Sequence, residues 1–151
     1  MIEQRLRDLG IALPAPKTPV ANYLGSKRSG DLLFVSARVS ELRGEVGSEV
    51  SRDEAHEAAR QALIHILAII RADGHDLDEI VSVEKMNGFV RSHEAFIEQP
   101  YVVDGASDLW VELLGDAGRH ARTATGVAQL PFGAAVQLEM VLRLRSASRP
   151  D

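Results

Sequence analysis

Between Gly118 and Arg145 the chain reads GRHARTATGVAQLPFGAAVQLEMVLRLR, two strand-like runs joined by Leu130-Pro131-Phe132-Gly133. Strand side chains alternate between faces, so the second run sorts itself. Val136, Leu138, Met140, Leu142 and Leu144 face one way, and Gln137, Glu139, Val141, Arg143 and Arg145 the other. A strand with one apolar face obliges the chain to build a second layer against it. In the first run Arg122, Ala124, Gly126 and Ala128 share a face, a guanidinium beside a floor of small residues. Such a floor calls for a ligand or for another protein surface. The proline and glycine between the runs predict a hairpin.

The second layer is legible at Ser51-Arg52-Asp53-Glu54, a capping box ahead of an apolar stripe. Ala55, Ala59, Ala62, Ile66, Ile69 and Ile70 recur at spacings of three and four, which predicts a helix from Arg52 to Ala72, stopped by Gly74. Before it, Asn22 to Gly25 opens a first strand, and Leu32 to Ser36 reads as a strand buried on both faces, since it is continuously apolar. After it, Ile80 to Val90 predicts another strand. Ser92 to Phe96 suggests one helical turn that Gln99-Pro100 breaks, and a second helix is expected from Ser107 to Leu114, ended by Gly115. Strands mixed with helices imply an α/β (α+β) domain with helices on one face of a mixed sheet. The expected organisation is an N-terminal arm over 1–20, the domain over 21–146 and a tail over 147–151.

At 151 residues the chain has the size of a single domain. It has no cysteine, which excludes disulfides, thiolate metal sites and a cysteine nucleophile. Its first residues lack the basic start and apolar run of a secretory signal, and the longest apolar stretch, Ala62 to Ile70, is too short to span a membrane. A cytoplasmic protein without membrane partners is the expectation. The formal charge of −5 opposes a nucleic-acid partner, whose phosphates would want basic contacts.

The five histidines, at 56, 65, 75, 93 and 120, form neither H-x-x-x-H nor H-E-x-x-H, so no metal is expected. His65, among apolar neighbours, reads as a core or interface histidine. No phosphate-loop motif is present. Ser36 has no G-x-S-x-G around it and reads as a strand serine bonded to backbone. Arg119, His120 and Arg122 leave two readings open: a solvated strand start, or a clamp in which the planar guanidinium grips a carboxylate through two parallel hydrogen bonds.

An arginine opening a strand, a Leu-Pro step eight residues on, and an alternating last strand resemble the signature of the reactive intermediate deaminase family, also called YjgF or RidA. GRHARTATGVAQLP resembles its longer branch, labelled "endoribonuclease L-PSP" or "chorismate mutase-like". The resemblance extends from about Asn22 to Arg145. It implies a chorismate mutase-like fold of the bacillus type: a single domain with a sheet of about six strands, two main helices on one face, assembled as a homotrimer with ligand clefts between subunits. It further implies that Arg122 binds the carboxylate of a small 2-imino acid, whose hydrolysis yields a 2-keto acid and ammonia without any cofactor. Tyr23, Ser36, Phe89 and Ala124 would line that cleft, with Gln137 beside the water.

The chain departs from the family pattern at three places. Gln137 stands where a glutamate is usual, Ala124 replaces a cysteine, and Ser36-Ala37-Arg38 replaces S-G-Q. Glutamine can hold a water but cannot accept its proton as a base. The leading expectation is an imine or enamine deaminase. A non-catalytic sensor of small carboxylates is the alternative. The ribonuclease label finds no histidine pair or basic groove to support it.

Overall fold

The computed structural model describes residues 1–17 and 19–147, so the expected tail lies almost wholly outside the described residues. The elements are α1 (Ile2–Asp8), β1 (Ser26–Ser29), β2 (Leu32–Val39), α2 (Arg52–Ala72), β3 (Ile80–Arg91), α3 (Gln99–Leu114), β4 (Ala121–Val127) and β5 (Val136–Leu144). The strands form one mixed sheet in the order β1-β2-β5-β3-β4. β4 runs parallel to β3, and the other pairings are antiparallel. The sheet therefore has five strands rather than six. The expected first strand starts four residues late, at Ser26, because Asn22 to Gly25 stays irregular.

The capping box forms as the sequence implies. Glu54 N–H donates to Ser51 Oγ at 3.1 Å, and Ser51 N–H to Glu54 Oε1 at 3.3 Å. Two otherwise orphaned donors are satisfied, which sets the first turn of α2. Ser51→Ala is expected to cost about 1 kcal/mol, the usual worth of such a cap, read as a lower urea midpoint at unchanged slope.

α2 and α3 cover one face of the sheet. Leu138 and Leu142 of β5 and Met86 and Val90 of β3 are fully buried against Leu63, Ile66, Leu67 and Ile70 of α2 and Leu109 and Trp110 of α3. The alanine-rich half of α2 is where α3 crosses it. A β-carbon added to Gly105 would lie 1.9 Å from the His56 carbonyl oxygen, so only glycine allows that approach. Arg60 then bridges the helices, its two Nη atoms donating to the Glu112 carboxylate at 3.2 and 3.1 Å. The N-terminal arm is packed: α1 buries Ile2 and Leu6, and Glu3 N–H donates to Asp78 Oδ1 at 3.0 Å.

Four further sequence expectations are corrected. α3 starts at Gln99 instead of Ser107, because Pro100 sits in the first turn, where a proline has no hydrogen bond to forfeit. Residues 92–96 form a turn and no helix. Phe34 of β2 is 47% exposed, so that strand has an open face despite its apolar run. β4 and β5 are no hairpin: β3 lies between them, and the segment carrying Leu130 to Gly133 crosses its end.

Candidate active site

β4 is an edge strand, with one row of backbone amides and carbonyls turned away from the sheet. Its register pairs Arg122 with Met86, Ala124 with Gly88 and Gly126 with Val90. Those β3 residues are buried on the helix side, so Arg122 and Ala124 look towards α3 and are half-buried, whereas Gly126 and Ala128 at the far end of the floor stay exposed. A β-carbon on Gly126 would stand 2.7 Å from Ser92 Oγ and 2.8 Å from Gln99 Nε2. The chain itself thus supplies only part of the surface the floor calls for.

Arg122 projects from this floor to α3. Its Nη1 donates to Asp104 Oδ1 at 2.6 Å and to Ser107 Oγ at 3.2 Å. Among the described residues Nε and Nη2 make no hydrogen bond, which leaves one edge of the fork free. The guanidinium borders an open hollow of about 310 Å³ lined by Asp104, Ser107, Asp108, Arg119, His120 and Arg122. Arg119 is largely exposed and leans towards Asp116 at 3.6 Å.

His120 is half-buried beside them. Its Nδ1 lies 2.7 Å from the Gly118 carbonyl and its Nε2 3.0 Å from Ser107 Oγ. A carbonyl can only accept, so Nδ1 carries the proton and Nε2 of the neutral ring accepts from the serine hydroxyl. Burial holds the imidazole below its ordinary value, against the hydrogen bond to Gly118, and the Arg122 charge adds to the depression.

The other residues named from the sequence lie elsewhere. Phe89 pairs with both Thr125 and Gln137, on the sheet face away from the helices. Gln137 and Arg122 of one chain therefore lie on opposite faces, two strands apart. Ser36 and Tyr23 lie towards the opposite edge of the sheet, in a small cleft with Lys17, Pro19, Gly25 and Arg38. Ser36 Oγ donates to the Leu24 carbonyl at 2.5 Å, the backbone role read from the sequence. The Tyr23 side chain is 54% exposed. His65 sits 3.8 Å from Glu41 at the rim of a groove along α2, held below its ordinary value by burial.

Asp104 and Ser107 were not singled out from the sequence. They are three residues apart on α3, which puts both on one helical edge, and that edge meets the R-H-A-R step only in the folded chain. Among the described residues no group of three or more His, Asp or Glu is placed to hold a metal ion. No helix of the described residues is long and apolar enough to cross a membrane.

Comparison with known proteins yields a consistent set. A family model described as "YjgF/chorismate mutase-like, putative endoribonuclease" matches residues 3–142. Protein TCP17 of Trypanosoma cruzi is 40% identical over 152 residues, covering 96% of this chain and 95% of that one. The crystal structure of protein Atu1372 from Agrobacterium tumefaciens, of unknown function, matches with a TM-score of 0.85 at 41% identity, over 95% of this chain and 92% of the other. A 2-iminobutanoate/2-iminopropanoate deaminase of Dermatophagoides farinae is 25% identical over 137 residues, covering 87% of this chain and 93% of its own.

Proposed function

The chain belongs to the YjgF/chorismate mutase-like family, and on that premise we propose that it hydrolyses small 2-imino acids to 2-keto acids and ammonia. The observation that carries this reading is the half-occupied guanidinium of Arg122. One edge is anchored by Asp104 and Ser107, which fixes the orientation of the plane. The other edge offers two N–H groups to an incoming carboxylate, the fork geometry that arginine brings to such anions. The deaminase-named relative supports the same substrate class.

In the reaction, water adds to the imine carbon, giving a carbinolamine. Collapse of that intermediate forms the carbonyl as the C–N bond breaks and protonated nitrogen leaves as ammonia. Arg122 holds the carboxylate bonded to the reacting carbon, so binding converts attack by a nearby water into an oriented event.

The proposed assembly is a homotrimer. Tyr23 and Ser36 lie towards one edge of the five-stranded sheet and Arg122 and Ala124 on the other, so a shared cleft joins the edge of one subunit to the opposite edge of the next. The half-exposed Phe34 on the open sheet face supports burial against a second copy. A non-catalytic carboxylate sensor is the second reading, favoured by one observation: Gln137 cannot serve as a base.

The test is release of 2-keto acid and ammonia from imino acid generated in situ by an amino-acid oxidase, using protein whose mass has been set by light scattering. Faster hydrolysis than in buffer, by a species of trimer mass, is the expected result. Pyruvate binding without turnover selects the sensor, and a stable monomer removes the shared cleft.

A further inference from the structure

We propose that Arg38 grips a second carboxylate at the far end of the ligand, so that the preferred imino acids are dicarboxylic. This rests on the shared cleft and the hydrolytic reading above, and it names the substrate class of that same site.

A bulge in β2 aims Arg38. β2 and β5 pair Val35 with Met140 and then Arg38 with Leu138, three steps along one strand against two along the other. In a regular strand Val35 and Arg38 would face opposite ways. The extra residue reverses the alternation, the usual effect of a β-bulge. Both residues therefore share the face of Met140 and Leu138, which the helices bury. Arg38 is turned from the open sheet face into the cleft it lines with Lys17, Tyr23, and Ile66 and Ile69 of α2.

Arg122 lies on the same side of the sheet, paired with Met86, which the helices also bury. β1 ends opposite Val35, so Arg38 stands past it on an open edge, and β4 is the open edge at the far end of the sheet. Joining those edges between copies puts the two guanidinium groups on one side of the joined sheets. The site is incomplete in a single chain, because the second cation comes from the neighbouring copy.

Arg38 is the uncommitted charge of its cleft. Lys17 Nζ donates to Glu41 Oε1 at 2.6 Å, and Asp73, behind Gly25, accepts from Ser26 Oγ at 2.5 Å. Burial holds His65 below its ordinary value; Glu41 opposes this, and Arg38 and Lys17 add to it, so the ring is neutral near pH 7. Among the described residues the Arg38 side chain makes no hydrogen bond and no ion pair, and it is only partly buried. Its planar fork suits a carboxylate. A monocarboxylic imino acid engages Arg122 and leaves Arg38 without a partner. A dicarboxylic one engages both, with its methylenes against Ile66 and Ile69, and is fixed at each end with the reacting carbon between.

The experiment compares 2-ketoglutarate with 2-ketopentanoate, which has the same five-carbon chain with a methyl in place of the second carboxylate. Affinities are measured by calorimetry in the parent and in Arg38→Gln, at low and high salt. Turnover is followed with the matching imino acids, generated by oxidases from glutamate and norvaline. The parent is expected to bind 2-ketoglutarate about tenfold tighter or more, the scale of one hydrogen bond to a charged group. KM for the imino acids should follow the same order. Added salt should narrow the advantage, because Arg38 is partly exposed. Arg38→Gln should lose the advantage while binding 2-ketopentanoate within about twofold of the parent, which also shows that the variant is folded. A parent that hydrolyses imino acids but binds 2-ketopentanoate as tightly as 2-ketoglutarate overturns the second grip alone. A preference that survives in Arg38→Gln assigns the far carboxylate to another cation and also overturns it. The expected binding preference without turnover supports the grip and overturns the hydrolytic reading. A parent that binds neither 2-keto acid removes the Arg122 clamp and the second grip with it.

Discussion

Gly105→Ala lowers the unfolding free energy by about 3 kcal/mol or more. The added carbon would have to occupy a point 1.9 Å from the His56 carbonyl oxygen, against a backbone that cannot rotate aside. α3 must lift from α2 by more than an ångström to admit it. That loosens the Arg60–Glu112 bridge and the contacts of the buried Val102, Ala106 and Leu109. Alanine returns about 1 kcal/mol of helix propensity over glycine, which offsets only part of the overpacking cost. For a chain of this length, each kcal/mol moves the melting temperature by roughly 2–4 °C, so a drop of about 6–12 °C is expected. The control is Val111→Ala on the exposed side of the same helix, expected to stay within about 0.5 kcal/mol. A Gly105→Ala protein that melts with the parent would mean the helices do not approach at this point.

Arg122→Ala weakens binding of pyruvate or 2-ketobutyrate by about 2–5 kcal/mol, the cost of losing one partner of a hydrogen-bonded charge pair. At 1.4 kcal/mol per decade that is roughly 30-fold to several thousand-fold in Kd, readable by calorimetry. Arg122→Lys is expected to recover little, because an ammonium is a point charge and cannot span two carboxylate oxygens while keeping Asp104 and Ser107. The stability change should be modest. The Asp104 side chain left behind is 43% exposed and stays solvated, and ion pairs of that kind are worth little to folding. Binding and stability therefore separate in this variant. An Arg122→Ala protein that binds 2-keto acids as tightly as the parent removes the clamp, and with it the basis for placing the reaction at this edge of the sheet.

The elements that were legible in the chain are those whose signals are local. The ends of α2 at Arg52 and Ala72 follow from a capping box and from a stripe of period 3.6, both contained within the helix itself. The faces of β5 follow from alternation, because helices cover one side and leave the other open. Arg122 was legible as a candidate through its place at the start of a strand and through the family pattern around it. Gln99-Pro100 misled because a proline breaks a helix it interrupts and suits one it begins, and the choice depends on residues further along.

What needed the folded chain is the set of partners. Period-2 alternation says which side chains share a face but not which strand lies alongside, so β4 and β5 look like a hairpin until β3 is found between them. Alternation also leaves open what covers a face: Ala124 packs partly against the core, while Gly126 on the same face stays exposed beside Ser92 and Gln99. The candidate site divides in the same way. Arginine, histidine and a strand start were written within a few residues of one another, whereas Asp104 and Ser107, 18 and 15 residues before Arg122, reach it only through the β3-α3-β4 crossover. Local sequence sets dihedral preference, capping and facing, because those depend on neighbours a turn or a strand step apart. Pairing, coverage and the company kept by a charged group depend on contacts between segments distant in the chain, and only the tertiary structure decides those.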